Sequence, residues 1–545
     1  MRKNLPIGND SFADIRQNGD YYVDKTMMIR DFIRFRDKVA LITRPRRFGK
    51  TLNMTMLREF FDITKDSRAI FAGLKIMDTE LAAEINKWPV VHFSFKNCIG
   101  NTAEDLRLSL IEELFREYYK ASFYLRLADA KMPIHLEMFL RDFEKLKSRT
   151  AQFNEIKFYI SRLLQIISEH FGKLPYLFID EYDQPIMSCY ENGYFGDMKD
   201  FFGVFYGSAL KGNDCLKQAL LTGIQRVAKE SIFSQINNVK VYNCLRPNYA
   251  EYFGLNAAET EELLSDYGLR LDDEVKARYN GYLFGGVEVY NPWSIINYAD
   301  TGELEDFWIN TSTNSFLREA IRNADDDFRY DYHQLIAHGS AKVGITLETS
   351  FVELGDDFSL WGLLVNAGYI AIAARTVDQS FMVVRIPNGE VKREFQKIVA
   401  QEGKMKPASL VQMFSYLTSG DISSFMRIYR SLVLSCTSYF DAKENAYHML
   451  FLGMCISLDR IYKVTSNLES GEGRHDIRLE SLSPKRPHIV IEFKQGEDIE
   501  QLKKDAIEQI IGKQYYAGLK GRVLCLGIAH CGKRCEIECR EMTGA

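Results

Sequence analysis

The sequence predicts an α/β chain, with an α/β domain at each end and a helical, mixed stretch between them. Three observations predict it. An apolar run, residues 39–42, leads into the loop RPRRFGKT, residues 44–51, and then into the helix-like stretch 52–61. A second apolar run, residues 176–179, ends in the acid pair Asp180-Glu181. Near the C-terminus, residues 489–494 read IVIEFK, a strand that carries an acid and a lysine two positions apart.

The first of these is the strand, loop and helix order that a phosphate-binding loop needs. Backbone N–H groups at a helix N-terminus suit phosphate, a lysine suits the β/γ oxygens, and a hydroxyl suits Mg²⁺. Gly49, Lys50 and Thr51 supply that set, and Arg46, Arg47 and Phe48 complete the candidate nucleotide contacts. The pattern G-x-x-x-x-G-K-[ST] would place its first glycine at Arg44, so the loop is non-standard. The acid pair supplies the second half of the chemistry. Asp180 would hold Mg²⁺ through water, and Glu181 would polarise the attacking water. A third strand candidate, residues 218–221, ends in Thr222-Gly223 with Arg226 close behind. A polar strand end and an arginine suit a sensor of the γ-phosphate.

These motifs resemble a known family, the AAA-ATPase-like proteins abundant in gut and anaerobic bacteria. The resemblance rests on YYVDKT (21–26), RPRRFGKT, FIDEYDQPI (178–186) and LTGIQRVAKESIF (221–233). It continues through YNGYLFG (279–285), VYNPWSIINY (289–298) and LLVNAGY (363–369). In that family the missing first glycine is normal, so Arg44 counts toward the match. The resemblance implies a P-loop NTPase fold with a parallel sheet and flanking helices, binding ATP and Mg²⁺. It also implies a C-terminal PD-(D/E)XK nuclease-like domain of the restriction-endonuclease-like α/β type.

That C-terminal domain is legible independently. Period two along a strand puts Glu492 and Lys494 on one face. Residues 473–477, GRHDI, precede it, and SPKRP at 483–487 makes a turn, so a hairpin brings Asp476 toward both. An E-x-K pair alone marks only a solvated strand edge; the frame of Asp476, Glu492 and Lys494 together is far more specific. Two acids of this kind hold Mg²⁺ as hard oxygen ligands, while the lysine positions the nucleophile. Glu444, Tyr447 and His448 recur at i, i+3, i+4 on a predicted helix and share a face. The resemblance assigns Glu444 a supporting acid role. It also matches Gln509, on a helix predicted over 499–516, to a glutamine of the family.

Composition sets the outer bounds. The chain has 545 residues, 46% hydrophobic and 26% charged, with a net charge of −5. About two to four domains is the expectation from length, and we place them at 1–255, 256–430 and 431–545. No apolar run reaches the ~18 residues of a membrane span, and the N-terminus lacks an apolar leader, so a cytoplasmic location without membrane contact is expected. The net charge excludes a global basic footprint, so nucleic-acid contact would come from local patches.

The ten cysteines mostly sit in apolar stretches, as in reducing compartments. His530, Cys531, Cys535 and Cys539 form one cluster, but residues 523–530 and 535–542 read as strands around a turn. Cys535 and Cys539 would then lie ~13 Å apart on one face, too far to share a metal.

The expected function is an ATP-binding and hydrolysing protein with a Mg²⁺-dependent nuclease domain, gated by nucleotide. Nucleic acid is the expected partner, DNA favoured over RNA, and oligomer formation is left open. The alternative is an ATP-dependent switch whose nuclease-like domain only binds nucleic acid or protein.

Overall fold

The computed structural model describes residues 2–125, 133–225, 238–308, 339–347, 357–376, 381–402, 407–435, 444–458, 461–466, 469–470 and 473–544, with Ala324, Phe328, Asp331, Tyr332 and Leu335. The chain folds as two compact units, Met1–Ala320 with Val343–Met382, and Ile321–Lys342 with Val383–Ala545. Residues 256–430 are thus shared between the two. Among the described residues no helix is long and apolar enough to cross a membrane.

The first unit is organised by a five-stranded sheet of β1 (Val39–Thr43), β2 (Val90–Ser94), β3 (Tyr176–Asp180), β4 (Ala219–Gly223) and β5 (Val239–Tyr242). Its order is β2-β3-β4-β1-β5, and every pairing is parallel. The three inner strands are buried along their whole length, whereas β2 and β5 at the edges are only partly buried. That is why VALIT, YLFID and ALLTG read as nearly continuous apolar runs: helices cover both faces of a parallel sheet.

Period two divides the side chains between two cores. Val39, Leu41, Leu177, Ile179 and Leu221 face a cluster with the helices Ala103–Leu125, Pro133–Lys147 and Tyr159–Phe171. Ala40, Ile42, Tyr176, Phe178 and Leu220 face the other, with Met27–Phe35 and Lys50–Phe61. The aromatic pairs Phe61–Tyr176 (4.4 Å) and Phe32–Phe178 (6.0 Å) seat the P-loop helix and its neighbour on the sheet.

Because β4 lies between β1 and β3, the C-terminal ends of three strands, each with a polar terminus, come side by side. Thr43, Asp180 and Thr222-Gly223 therefore share one edge of the sheet. Further along the chain, Asn291 caps the helix Pro292–Thr301 by accepting from the N–H of Trp293 (2.9 Å) and Ser294 (3.3 Å). The NPW motif is thus turn and cap chemistry, as its composition suggests.

The second unit holds a mixed five-stranded sheet, in the order Tyr462–Ser466, Ile477–Ser481, His488–Gln495, Gly521–Cys531, Arg534–Gly544. Only His488–Gln495 and Gly521–Cys531 are parallel, and the helix Ile499–Gly512 makes the crossover between them. That helix ends at Gly512, four residues short of the predicted end; Lys513 caps it and Gln514 turns left-handed at φ 50°.

The strands Gly521–Cys531 and Arg534–Gly544 form the expected hairpin. Its register sets Cys535 opposite His530 and Cys539 opposite Leu526. On one face of the sheet Phe493 and His530 pack against Phe451, Tyr447 and Tyr429 of the preceding helices. The other face carries Val490, Glu492 and Gly527 and receives the crossover helix.

Gly527 sets how closely that helix approaches. A Cβ built there would lie 2.4 Å from the Lys503 carbonyl and 3.0 Å from Ala506. Replacing Gly527 by alanine must push the helix off the sheet. The expected cost is ~1–3 kcal/mol of stability, read as a lower urea midpoint for the unit's unfolding. A midpoint equal to wild type would show that the close contact does not exist.

Candidate functional sites

At the edge of the parallel sheet, β1 runs into the loop and the loop into the helix Lys50–Phe61. Gly49 sits just before that helix at φ 84°, and Arg47 at φ 68°. Two left-handed residues in three bend the chain so that it enters the helix with its N–H groups facing outward. The Lys50 amine is buried and donates to the carbonyls of Arg44 and Pro45, both at 2.9 Å. Burial lowers its pKa, and the acids Glu181, Asp180 and Asp183 oppose that shift.

Thr51 Oγ1 donates to Asp180 Oδ2 at 2.6 Å, and Thr222 Oγ1 donates to Asp180 Oδ1. One carboxylate on β3 thereby joins the first turn of the loop helix to the end of β4. Glu181 follows at φ 52°, a left-handed conformation unusual for a glutamate. Burial raises its carboxyl pKa, Asp180 and Asp183 add to the rise, and Lys50 pulls against it.

The predicted loop residues divide by role. Phe48 turns its ring into the core against Tyr282 (4.9 Å) and Phe284 (5.3 Å). Arg46 and Arg47 are exposed. Arg47 stacks over Trp293 at 4.2 Å, and Trp308 donates its indole N–H to the Arg46 carbonyl at 3.1 Å. Arg226 lies outside the described residues.

Arg44, in place of the missing glycine, is fully buried. It donates to the carbonyls of Thr43 and Tyr242 and lies over Phe284 at 4.8 Å. It acts as a strut between the ends of β1 and β5.

Sequence reasoning passed over Asp183. Its buried Oδ2 accepts from the N–H groups of Ile224 and Gln225, both at 2.8 Å, and so fixes the segment that follows β4. A Cβ on Gly223 would strike Asp183 Oδ1 at 2.7 Å, so glycine is required there. The signal was present in FIDEYDQPI, where Asp183 follows the acid pair by two positions.

In the second unit, Asp476 stands just ahead of the strand Ile477–Ser481, and Ile477 pairs with Ile491. This register carries Asp476 to the neighbouring strand, where its Oδ2 accepts from the Phe493 N–H at 2.8 Å. Glu492 is buried. Its Oε1 accepts from Lys494 Nζ at 3.4 Å and from Gln509 Nε2, and its buried Oε2 has no hydrogen-bond partner among the described residues. Gln509 also reaches the hydroxyl of Tyr515 at 3.2 Å, a tyrosine that sequence reasoning did not single out.

Asp476, Glu492, Lys494 and Gln509 therefore lie together around one strand end. Glu444 opens the helix Glu444–Met454, but its side chain lies outside the described residues. Tyr447 and His448, predicted to share its face, are buried, against His530 and Phe493.

The electrostatics of this cluster suit a cation. Burial, and then the neighbouring Asp476, push the Glu492 carboxyl up to about 8, with Lys494 opposing. Burial likewise raises Asp476. Two crowded acids, with one buried oxygen that accepts no hydrogen bond among the described residues, form a set that a hard divalent ion would complete. Asp476 and Glu492 would be its ligands.

Comparison with known proteins gives a family match for each of the two regions. Residues 6–233 match the AAA-ATPase-like family, described as "Predicted AAA-ATPase". Residues 442–540 match the PD-(D/E)XK nuclease superfamily. The chain is also 26% identical over 450 residues to the "Uncharacterized protein in vnfD 5'region" of Azotobacter chroococcum mcd 1, covering 80% of this chain and 78% of that one. With each motif set standing on the kind of sheet it requires, the chain carries an AAA-ATPase-like domain at its N-terminal end and a PD-(D/E)XK nuclease-superfamily domain at its C-terminal end.

Proposed function

We propose that the protein binds and hydrolyses Mg-ATP at the edge of the parallel sheet and cleaves nucleic acid, DNA in preference to RNA, at the C-terminal cluster, with nucleotide state governing cleavage. The observation that carries the reading is Asp180, held between Thr51 and Thr222 beside a buried Lys50. Its counterpart is the convergence of Asp476, Glu492, Lys494 and Gln509.

At the first site, Lys50 leaves its two loop carbonyls to meet the β/γ oxygens of ATP. Glu181 takes a proton from the attacking water, and the raised carboxyl pKa suits a base. Thr51 and Asp180 hold Mg²⁺, which neutralises phosphate charge when bound. Arg226 senses the γ-phosphate.

At the second site, Asp476 and Glu492 hold Mg²⁺, which acidifies water and stabilises charge on the phosphodiester when bound. Lys494 orients the attacking water and Gln509 fixes the Glu492 carboxylate. Glu444 supports the acids.

Replacing Lys50 by alanine should weaken nucleotide binding by ~1.5–3 kcal/mol, roughly 10- to 150-fold, in a fluorescent-nucleotide titration. Glu181→Gln should keep binding and lose phosphate release. Unchanged affinity in the lysine variant would remove the P-loop assignment.

Cleavage should require Mg²⁺ or Mn²⁺ and should differ between ATP, ADP and a non-hydrolysable analogue at fixed free metal. Asp476→Asn should weaken metal binding, and Lys494→Ala should slow chemistry while metal binding persists. A triple Asp476, Glu492 and Lys494 variant that cuts as well as wild type would place the nuclease site elsewhere. Identical rates in all nucleotide states would remove the gating.

The metal site should also be pH-dependent. Folding lifts the Glu492 carboxyl from 4.5 to about 8, so metal-free protein holds a proton there that the unfolded chain has released. Stability of the metal-free form should fall as pH rises between those values. Metal binding must expel the proton, so Mg²⁺ affinity should climb, by about tenfold per pH unit at most, and level off above about pH 8. Glu492→Gln should flatten the slope; a wild-type affinity independent of pH from 6 to 8 would contradict the assignment.

A further inference from the structure

The motif LLVNAGY, residues 363–369, closes the helix Asp357–Ala367. Gly368 ends that helix: it turns left-handed at φ 87° and donates its N–H to the Val365 carbonyl at 3.0 Å. The turn lays Gly368 on the phosphate loop. A Cβ built there would lie 2.8 Å from Pro45 Cβ and 3.4 Å from the ring of Trp308. Pro45 is the residue whose carbonyl receives Lys50, and Trp308 holds the carbonyl of Arg46. Tyr369 follows, its ring 5.5 Å from that of Trp308.

Two residues earlier the same helix end reaches the chain that leaves β4. The buried Asn366 amide donates to Gln225 Oε1 at 3.3 Å and to the Leu347 carbonyl at 3.1 Å. Gln225 stands two residues beyond Gly223, the last of β4, and is itself buried. Its N–H goes to Asp183 at 2.8 Å, and its carbonyl accepts from the Tyr182 hydroxyl at 2.7 Å. Residues that follow β3 thus fix its backbone, and Asn366 fixes its side chain. The helix behind Asn366 is closely seated: a Cβ on Gly362 would stand 1.9 Å from the Thr346 carbonyl.

We propose that Asn366 is a positioning residue for ATP hydrolysis, an inference that rests on the ATP reading above. The helix end Asn366–Gly368 braces the phosphate loop against the chain leaving β4. Because β1 and β4 pair directly, these two segments diverge from one edge of the sheet. Inside the site the Asp180 carboxylate joins them, through Thr51 and Thr222. The brace joins them through different groups, the Gln225 side chain and the Pro45 ring. The ATP reading assigns neither group to the ligand, so the brace persists when Lys50, Thr51 and Asp180 exchange their present bonds for it. What it controls is the placing of the reacting groups, where an error of about 1 Å costs up to ~100-fold in rate.

Turnover and binding, measured on the full chain, test this. Asn366→Ala should lower kcat for ATP roughly tenfold or more and keep ADP affinity within about twofold of wild type. Gln225→Met, which removes the acceptor and leaves Asn366 on the Leu347 carbonyl, should do the same. The double variant should be no slower than the slower single one, because each change removes the same contact. Unchanged kcat in either folded variant, equal losses of kcat and ADP affinity, or losses that multiply in the double variant would overturn the role. Wild-type turnover untouched by both changes would overturn the positioning role alone. A wild-type chain that binds ATP and releases no phosphate would overturn hydrolysis, and the positioning role with it.

Discussion

Two hydroxyls donate to the two oxygens of one buried carboxylate, and the first unit is arranged around that contact. Asp180 ends β3, Thr222 ends β4, and Thr51 opens the helix that follows β1. The carboxylate could not be buried without such donors, because an unpaired charge in the interior costs several kcal/mol. Meeting that demand requires β4 to lie between β1 and β3, so that all three ends share one edge. The same demand explains Asp183, which fixes the chain leaving β4 through two backbone N–H groups. Lys50 then sits among three acids in a buried setting, held by the loop carbonyls of Arg44 and Pro45.

The second unit meets the opposite electrostatic condition. Asp476 and Glu492 are brought together with one lysine, and one carboxylate oxygen of Glu492 has no donor among the described residues. Burial and the neighbouring Asp476 push the Glu492 carboxyl up to about 8, and burial raises Asp476. The scaffold tolerates this because a close-packed helix and sheet surround the cluster. Gly527 lets the helix descend, the helix carries Gln509 to Glu492, and Tyr515 steadies Gln509 from beyond the helix end.

The loop that lacks its first glycine illustrates substitution of one physical solution for another. A glycine there would give the backbone freedom. Arg44 gives it a buried strut, with carbonyls of two strands as acceptors and an aromatic ring beneath. Its own carbonyl receives Lys50 and its N–H meets Gly223. From outside, Trp293 and Trp308 engage the next two arginines of the loop. The loop is thus held by packing on both sides.

The sequence by itself determined the strands and the placement of the charged motifs at their ends. Apolar runs of four residues ending in a polar one have few alternatives inside a covered parallel sheet, and period two puts Glu492 and Lys494 on one face without further information. It also supplied the hairpin, read at residues 523–530 and 535–542, because strands around a Gly-containing turn are local signals. Only the tertiary structure decided strand order, and with it the Thr51–Asp180–Thr222 bridge, since no local signal says that β4 inserts between β1 and β3. It likewise decided that Phe48 faces the core, that Asp183 and Tyr515 support the sites, and that Arg44 is buried. Each of these depends on partners distant in sequence, and a one-dimensional pattern records the residue but not what packs against it.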